Sequence, residues 1–446
     1  MRPAVTRGEG APKGAGAPEL FSSVAEAGPE EDGGELKVCV VGSGRRFVSG
    51  ISYYTYFSAC ALNQRYDVVA ILMRHLIPSR WYPGRQRVGQ SVMAYDLSAE
   101  VPTFDGVDWW GWPSVPRALS FLRSQRPHVL IFQWWSASVL PWYLLLARQA
   151  VRRGSVVVME LHEDLDTGEA RVPLVGWFAR HGLKALCRRA SVLIVHSTWD
   201  RDRMSASLGI SPEQFRVIPH GPYPILDAAP DDTAGSPRVR SLREGPELTV
   251  LFFGTIRPYK GLEHLIQAFE QVRRDSVPCK LVVVGETWEG WTLPLELIES
   301  SPYRNDIELV NRYVTDQEAA DFFRRADIVA LPYLRSSASG PLAIAQACGL
   351  PVVVTAVGGL VEAAADYTGA VLVRPSDPDD LARGLLAAAD LRGRTHAGTV
   401  TWDAVVQSYA DIFAAVVPPA AQGPRRRRPS DRGEGTFSLP KSLNSC

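Results

Sequence analysis

Cysteine is scarce: the chain has six in 446 residues, at positions 39, 60, 187, 279, 348 and 446, and none stands in a CxxC pair. That spacing offers no disulfide framework and no zinc-finger pattern. Buried free thiols in a reducing compartment are the expectation, which points to the cytoplasm. An excess of one charge is missing too. Lys plus Arg equals Asp plus Glu at 48 each, so no global field draws nucleic acid. No apolar run reaches the roughly 18 residues of a spanning helix. The first residues, MRPAVTRGEG, lack the apolar core of a secretory signal. Peripheral contact with a membrane stays open.

Several nucleotide and metal signatures are also absent. The glycine-rich loop from Gly42 to Gly50 reads GSGRRFVSG, with Phe47 where a dinucleotide fingerprint needs glycine. No acid ends the next strand to meet a ribose. GxxxxGK[ST] and HExxH occur nowhere, and no DxD sits in a suitable loop, so no metal site is expected.

What is present is an alternation. At 446 residues the chain exceeds the length over which one core usually grows, so two domains are expected. Between Leu248 and Val373, short apolar runs alternate with polar loops and helix-like segments, the pattern of parallel strands covered by crossover helices. The same alternation runs from Leu36 to His220. We therefore expect an α/β protein. Its parts are a disordered leader (1–35), a first domain (36–224), a linker rich in Asp, Gly, Pro and Ser (225–247) and a second domain (248–396). A terminal helix (397–416) and a disordered tail (417–446) containing PRRRRPS follow.

In open parallel sheets, ligands sit outside the strands' C-terminal ends. The loop after Leu248–Phe253 carries Arg257 and Lys260 beside a helix start, where backbone N–H groups also favour an anion. Ser336–Pro341 opens another helix with hydroxyls and free N–H groups, the kind of nest that cradles phosphate. Arg257, Lys260, Ser337, Ser339 and Gly340 are thus the expected anion site, and two half-sites suit a diphosphate. In the first domain, His162 stands at a strand tip, where it could donate a hydrogen bond to a substrate hydroxyl. Arg74–Gly89 is a basic aromatic loop that suits an anionic acceptor or serves only as a solvated lid. Trp134 and Trp135 are either aromatic platforms or core. Asp377 is expected to cap the helix that follows it.

The ordered set GTIRPYKGLEHLIQAF, ADIVALPY, SGPLAIAQACGLPVVVTAVGGLVE and GAVLVRPSDPDDLA resembles the retaining GT-B glycosyltransferases of family 4, the group 1 glycosyltransferases, over about Leu36–Val416. The resemblance implies two Rossmann-like domains facing across a cleft. It also implies transfer of a sugar from a UDP-, GDP- or dTDP-linked donor to a hydroxyl acceptor, with no cofactor. The acceptor would be a small molecule or lipid-linked, and the enzyme a monomer or homodimer. Arg257 and Lys260 would bind the donor diphosphate, Ser49 and Gly50 would approach it from the first domain, and His162 would contact the donor sugar. Gly254, Ser337, Ser339, Gly340, Pro341 and Glu362 complete the implied donor set. The terminal helix around Trp402 would cross back to the first domain. The family's two glutamates, eight residues apart, are here Ser336 and Ile344. Glu362, in the next loop, cannot simply replace either. A noncatalytic sugar-nucleotide binder and an epimerase on the same architecture are the alternatives.

Overall fold

A computed structural model describes residues 35–44, 50–75, 93–108, 110–163, 173–224, 247–288 and 290–419. The expected leader, the linker and most of the expected tail lie outside these residues, as do Ser49 and most of the Arg74–Gly89 loop.

The first domain runs β1 (Lys37–Ser43), α1 (Gly50–Asn63), β2 (Asp67–His75), β3 (Thr103–Asp108), α2 (Ser114–Gln125), β4 (Val129–Trp134) and α3 (Leu140–Val151). It continues with β5 (Val156–Leu161), α4 (Pro173–Cys187), β6 (Val192–Val195), α5 (Thr198–Leu208) and β7 (Phe215–Val217). All seven strands are parallel, in the order β3-β2-β1-β4-β5-β6-β7. Val38, Val40, Ile131 and Val158 are almost wholly buried, because helices cover both faces of a parallel sheet.

The connections decide which helices share a face. From β1 the chain steps outward to β2, whereas α2, α3 and α4 carry it the other way, from β3 to β4, β5 and β6. Right-handed crossovers in opposite directions lie on opposite faces. Accordingly α2 packs on α3 and α3 on α4, while α1 lies on the other face.

The second domain runs β8 (Leu248–Phe253), α6 (Leu262–Arg274), β9 (Cys279–Val284), α7 (Leu293–Ser300), β10 (Ile307–Val310), α8 (Asp316–Arg325) and β11 (Ile328–Leu331). Then come α9 (Gly340–Ala347), β12 (Val352–Thr355), α10 (Leu360–Ala365), β13 (Ala370–Val373) and α11 (Pro378–Ala389). Its six parallel strands take the order β10-β9-β8-β11-β12-β13. The terminal helix α12 (Trp402–Val416) packs on α1, and the Trp402 indole donates to the Pro222 carbonyl at 2.9 Å.

Two strands are not legible in the sequence, β3 and the three-residue β7, which form the two edges of the first sheet. β3 reads TFDGVD, with two acids and a glycine, and pairs only with β2 at the sheet edge. An edge strand needs no apolar run, so periodicity misses it.

Candidate functional site

The C-terminal ends of the two sheets face each other across a cleft of about 630 Å³. On the second-domain side, backbone proximity shapes the floor. Gly261 has φ of 63°, and a Cβ there would sit 2.0 Å from the Pro332 carbonyl oxygen. Glycine is therefore required for the β8 loop to press against the end of β11. That contact sets where Arg257 and Lys260 project.

Lys260 places its ammonium 3.6 Å above the ring of buried Tyr333. The Arg257 guanidinium lies 4.3 Å over Trp288, and Arg335 lies 4.7 Å over Tyr259. Aromatic faces hold these cations on the cleft wall. Burial pulls the Lys260 ammonium below the usual lysine range. Neighbouring Arg257 and Arg335 push the same way, whereas Tyr259 and Glu163 oppose them. An anion bound here would reverse that cost.

Ser339 caps α9 by accepting from the Leu342 N–H at 3.3 Å, which leaves Gly340 and Pro341 at the helix start on the cleft wall. Ser337, Gly254 and Gly50 also line the cleft. At the two positions where the resemblance leads one to expect carboxylates, the wall carries the Ser336 hydroxyl, donating to the Ala338 carbonyl at 3.0 Å, and the apolar side chain of Ile344.

Glu362 is placed elsewhere. Its carboxylate accepts from the Thr198 N–H (2.7 Å), the Thr198 hydroxyl (2.7 Å) and the Trp199 N–H (2.9 Å), at the start of α5 in the first domain. Burial raises its pKa, but these donors outweigh it and hold the carboxyl below its usual value. Glu362 thus links the domains and is not among the cleft-lining residues. Arg74 likewise is engaged away from the cleft, donating to Asp108 at 3.1 and 2.5 Å.

Across from the cations lies a buried histidine cluster. His196 Nδ1 stands 3.0 Å from the Ile218 carbonyl, and its Nε2 stands 3.0 Å from His162 Nδ1. A carbonyl only accepts, so His196 carries its proton on Nδ1. Its Nε2 then accepts from the Nδ1–H of His162. His162 Nε2 is left as a bare acceptor, with no hydrogen-bond partner among the described residues. Burial first, then the neighbouring histidines, lower the pKa of His162 well below the usual range; burial also lowers His196, although Glu160 opposes this. His220 falls to about 3 for the same chief reason. The rings are therefore neutral near pH 7. The donor role expected for His162 gives way to an acceptor role, which sequence could not reveal because His196 is 34 residues away.

Tyr54 packs its ring against all three imidazoles and donates to the buried Glu160 at 2.6 Å. Glu160, His162 and His196 each offer a ligand atom within 4.8 Å of the others, close enough to share a cation. In the structure these groups are already engaged by Tyr54 and by each other. Trp134 is core, whereas Trp135 lines the cleft. Sequence reasoning also missed Arg335 and Asp316. Asp316 begins α8 and accepts from the Tyr53 hydroxyl and, at 2.7 Å, from the Ala94 N–H of the first domain.

Residues 49–221 match the family model described as a glycosyl transferase 4-like domain, and residues 247–390 match glycosyl transferases group 1. The D-inositol 3-phosphate glycosyltransferase of Segniliparus rotundus is 30% identical over 246 residues, 52% of this chain and 54% of its own length. That of Salinispora arenicola is 35% identical over 193 residues, 40% of this chain and 42% of its own. The chain thus spans about half the length of the curated relatives it matches. Anabaena Alr3699/HepE in complex with UDP and glucose superposes with a TM-score of 0.58 at 15% identity, covering 85% of this chain and all of that one. Sucrose-phosphate synthase of Thermosynechococcus elongatus gives 0.58 at 16% identity, with the same coverage. With two parallel-sheet domains facing across a cleft and both family models in order along it, the chain belongs to the group 1 glycosyltransferases of family 4 and has the GT-B fold.

Proposed function

We propose that this protein transfers a sugar, with retention of configuration, from a nucleoside diphosphate to a hydroxyl of a small or lipid-linked acceptor. The observation that carries the reading is the facing of Arg257, Lys260 and Arg335, at one wall, against the bare Nε2 of His162 at the other. Negative charge develops on the leaving diphosphate, and preorganised cations and the Gly340 N–H at the start of α9 stabilise it where it forms. His162 Nε2 accepts from a hydroxyl and so orients the ring or acceptor that bears it. Hydrogen bonds between the domains through Asp316 and Glu362 narrow the cleft, which limits hydrolysis of the donor. Support for a nucleotide donor comes from the solved relative with UDP and glucose, and support for a hydroxylated acceptor from relatives named for inositol 3-phosphate.

Incubation with UDP-, GDP- and dTDP-sugars, with and without candidate acceptors, tests the reading by release of the nucleoside diphosphate. Acceptor-dependent release is expected. Binding without release would instead favour a noncatalytic binder, the reading that Ser336 and Ile344 motivate. Conversion of the donor without acceptor would favour an epimerase.

A further inference from the structure

The layer formed by α2, α3 and α4 presents an outer face unlike the rest of this neutral chain. From residue 109 to 159 there is no Asp or Glu, but there are six arginines. From 170 to 199 there is again no acid, against four arginines and a lysine. The three helices carry exposed Arg117, Arg123, Arg148 and Arg180 on that face. Between these two stretches, residues 160–169 carry five acids, and beyond the second the next acids are Asp200 and Asp202 of α5.

The same layer exposes large apolar side chains. Trp110 and Trp112, just before α2, are 66% and 76% exposed. Trp177 and Phe178 on α4 are 58% and 57% exposed, and Leu145 of α3 lies open between them in sequence. Packing brings the two aromatic pairs to the same end of α3. Gly111 abuts the Trp142 ring, and Gly182 of α4 abuts Leu140. This is the end at which the β4 and β5 strands open toward the cleft.

We propose that this face docks on an anionic lipid bilayer. Indole rings are at home at the level of lipid headgroups, with the ring body in apolar surroundings and the N–H wet. Exposed arginines such as these are drawn to a negative surface. The combination separates a bilayer from nucleic acid, which would use the arginines but has no apolar layer for four exposed aromatics. No described helix is long and apolar enough to cross a membrane, so contact is at the surface. The docking stands independently of the proposed glycosyl transfer. Its corollary, that the acceptor is presented from the bilayer beside the cleft, rests on that reading.

Flotation of the full chain with phosphatidylcholine vesicles, with and without about one third phosphatidylglycerol, tests the proposal. Binding is expected only to the anionic vesicles and should weaken as salt rises. Replacement of Arg117, Arg148 and Arg180 by Gln should weaken it by about fivefold per charge. Trp112→Ser with Trp177→Ser should also weaken it severalfold. These positions are exposed and outside the cleft, and diphosphate-induced thermal shifts check that each variant is folded and that the cleft is intact. Equal binding to neutral vesicles, or unchanged binding by both variants, would overturn the proposal. So would loss of binding only when Arg425–Arg428 are replaced, or equally tight binding of a DNA duplex that is insensitive to the tryptophan changes.

Discussion

Lys260 and His162 show how a neighbour sets what a side chain can do. Lys260 sits half-buried between aromatic rings with two arginines close by, so its charge is poorly solvated. Arg257→Ala and Lys260→Ala should each weaken nucleoside diphosphate binding by about 1 kcal/mol or more, read by calorimetry. Unchanged affinity in both would remove the diphosphate from this wall. For His162 the neighbour is His196, which receives the Nδ1 proton. Histidine side-chain nitrogen NMR should show His162 protonated on Nδ1 in the native chain, and His196→Phe should release that tautomer. A His162 already protonated on Nε2 would contradict the relay. The sign of the pH effect follows from the depressed pKa of His220, about 3. The unfolded ring binds a proton below about pH 6.5 while the folded one does not, so its stabilising contribution is present above that pH and lost on acidification. Buried Glu160, Asp200 and Asp316, all raised by desolvation, act in the opposite direction. The clean readout is therefore a difference. His220→Gln should reduce the acid-side loss by up to about 1.4 kcal/mol per pH unit between pH 6 and 4 in denaturant titrations.

Helix starts decide much of the local geometry. Asp377 accepts from the Asp380 N–H at 2.9 Å, as its position before PDDL leads one to expect, and Thr315 with Glu318 forms a capping box on α8. Asp377→Ala should lower stability by about 1 kcal/mol in chemical denaturation, without touching the cleft. Glu362 is a cap of another kind, because the helix it serves belongs to the other domain. No local pattern could announce it: Thr198 and Glu362 are 164 residues apart. The strand boundaries were easier. Apolar runs such as β4, β8 and β12 are buried on both faces and read plainly as strands, whereas β3 lacks the run and is buried only over its second half.

Two domains are held across the cleft from both rims. Asp316 ties α8 to Tyr53 and Ala94, and Glu362 ties α10 to α5. Asp316→Ala should widen the average separation of the domains in solution scattering and weaken diphosphate binding, since closure contributes to the enclosed site. An unchanged scattering profile would show that Asp316 does not set the closure.

While the family entered through a resemblance of motifs, the order of amino acids was enough for the two-domain α/β architecture and the absence of dinucleotide and Walker loops. It also located Arg257, Lys260 and Ser339 at strand ends. These follow from short-range rules: burial periodicity, loop chemistry and helix-start preferences act over a few residues. Folding in space was needed to bring Arg335 beside Lys260, to turn Glu362 into an interdomain cap and to make His162 an acceptor. It also gathered three acid-free helices into one face. Each of these depends on residues far apart in the chain, where crossover handedness and side-chain packing, not local propensity, choose the neighbour.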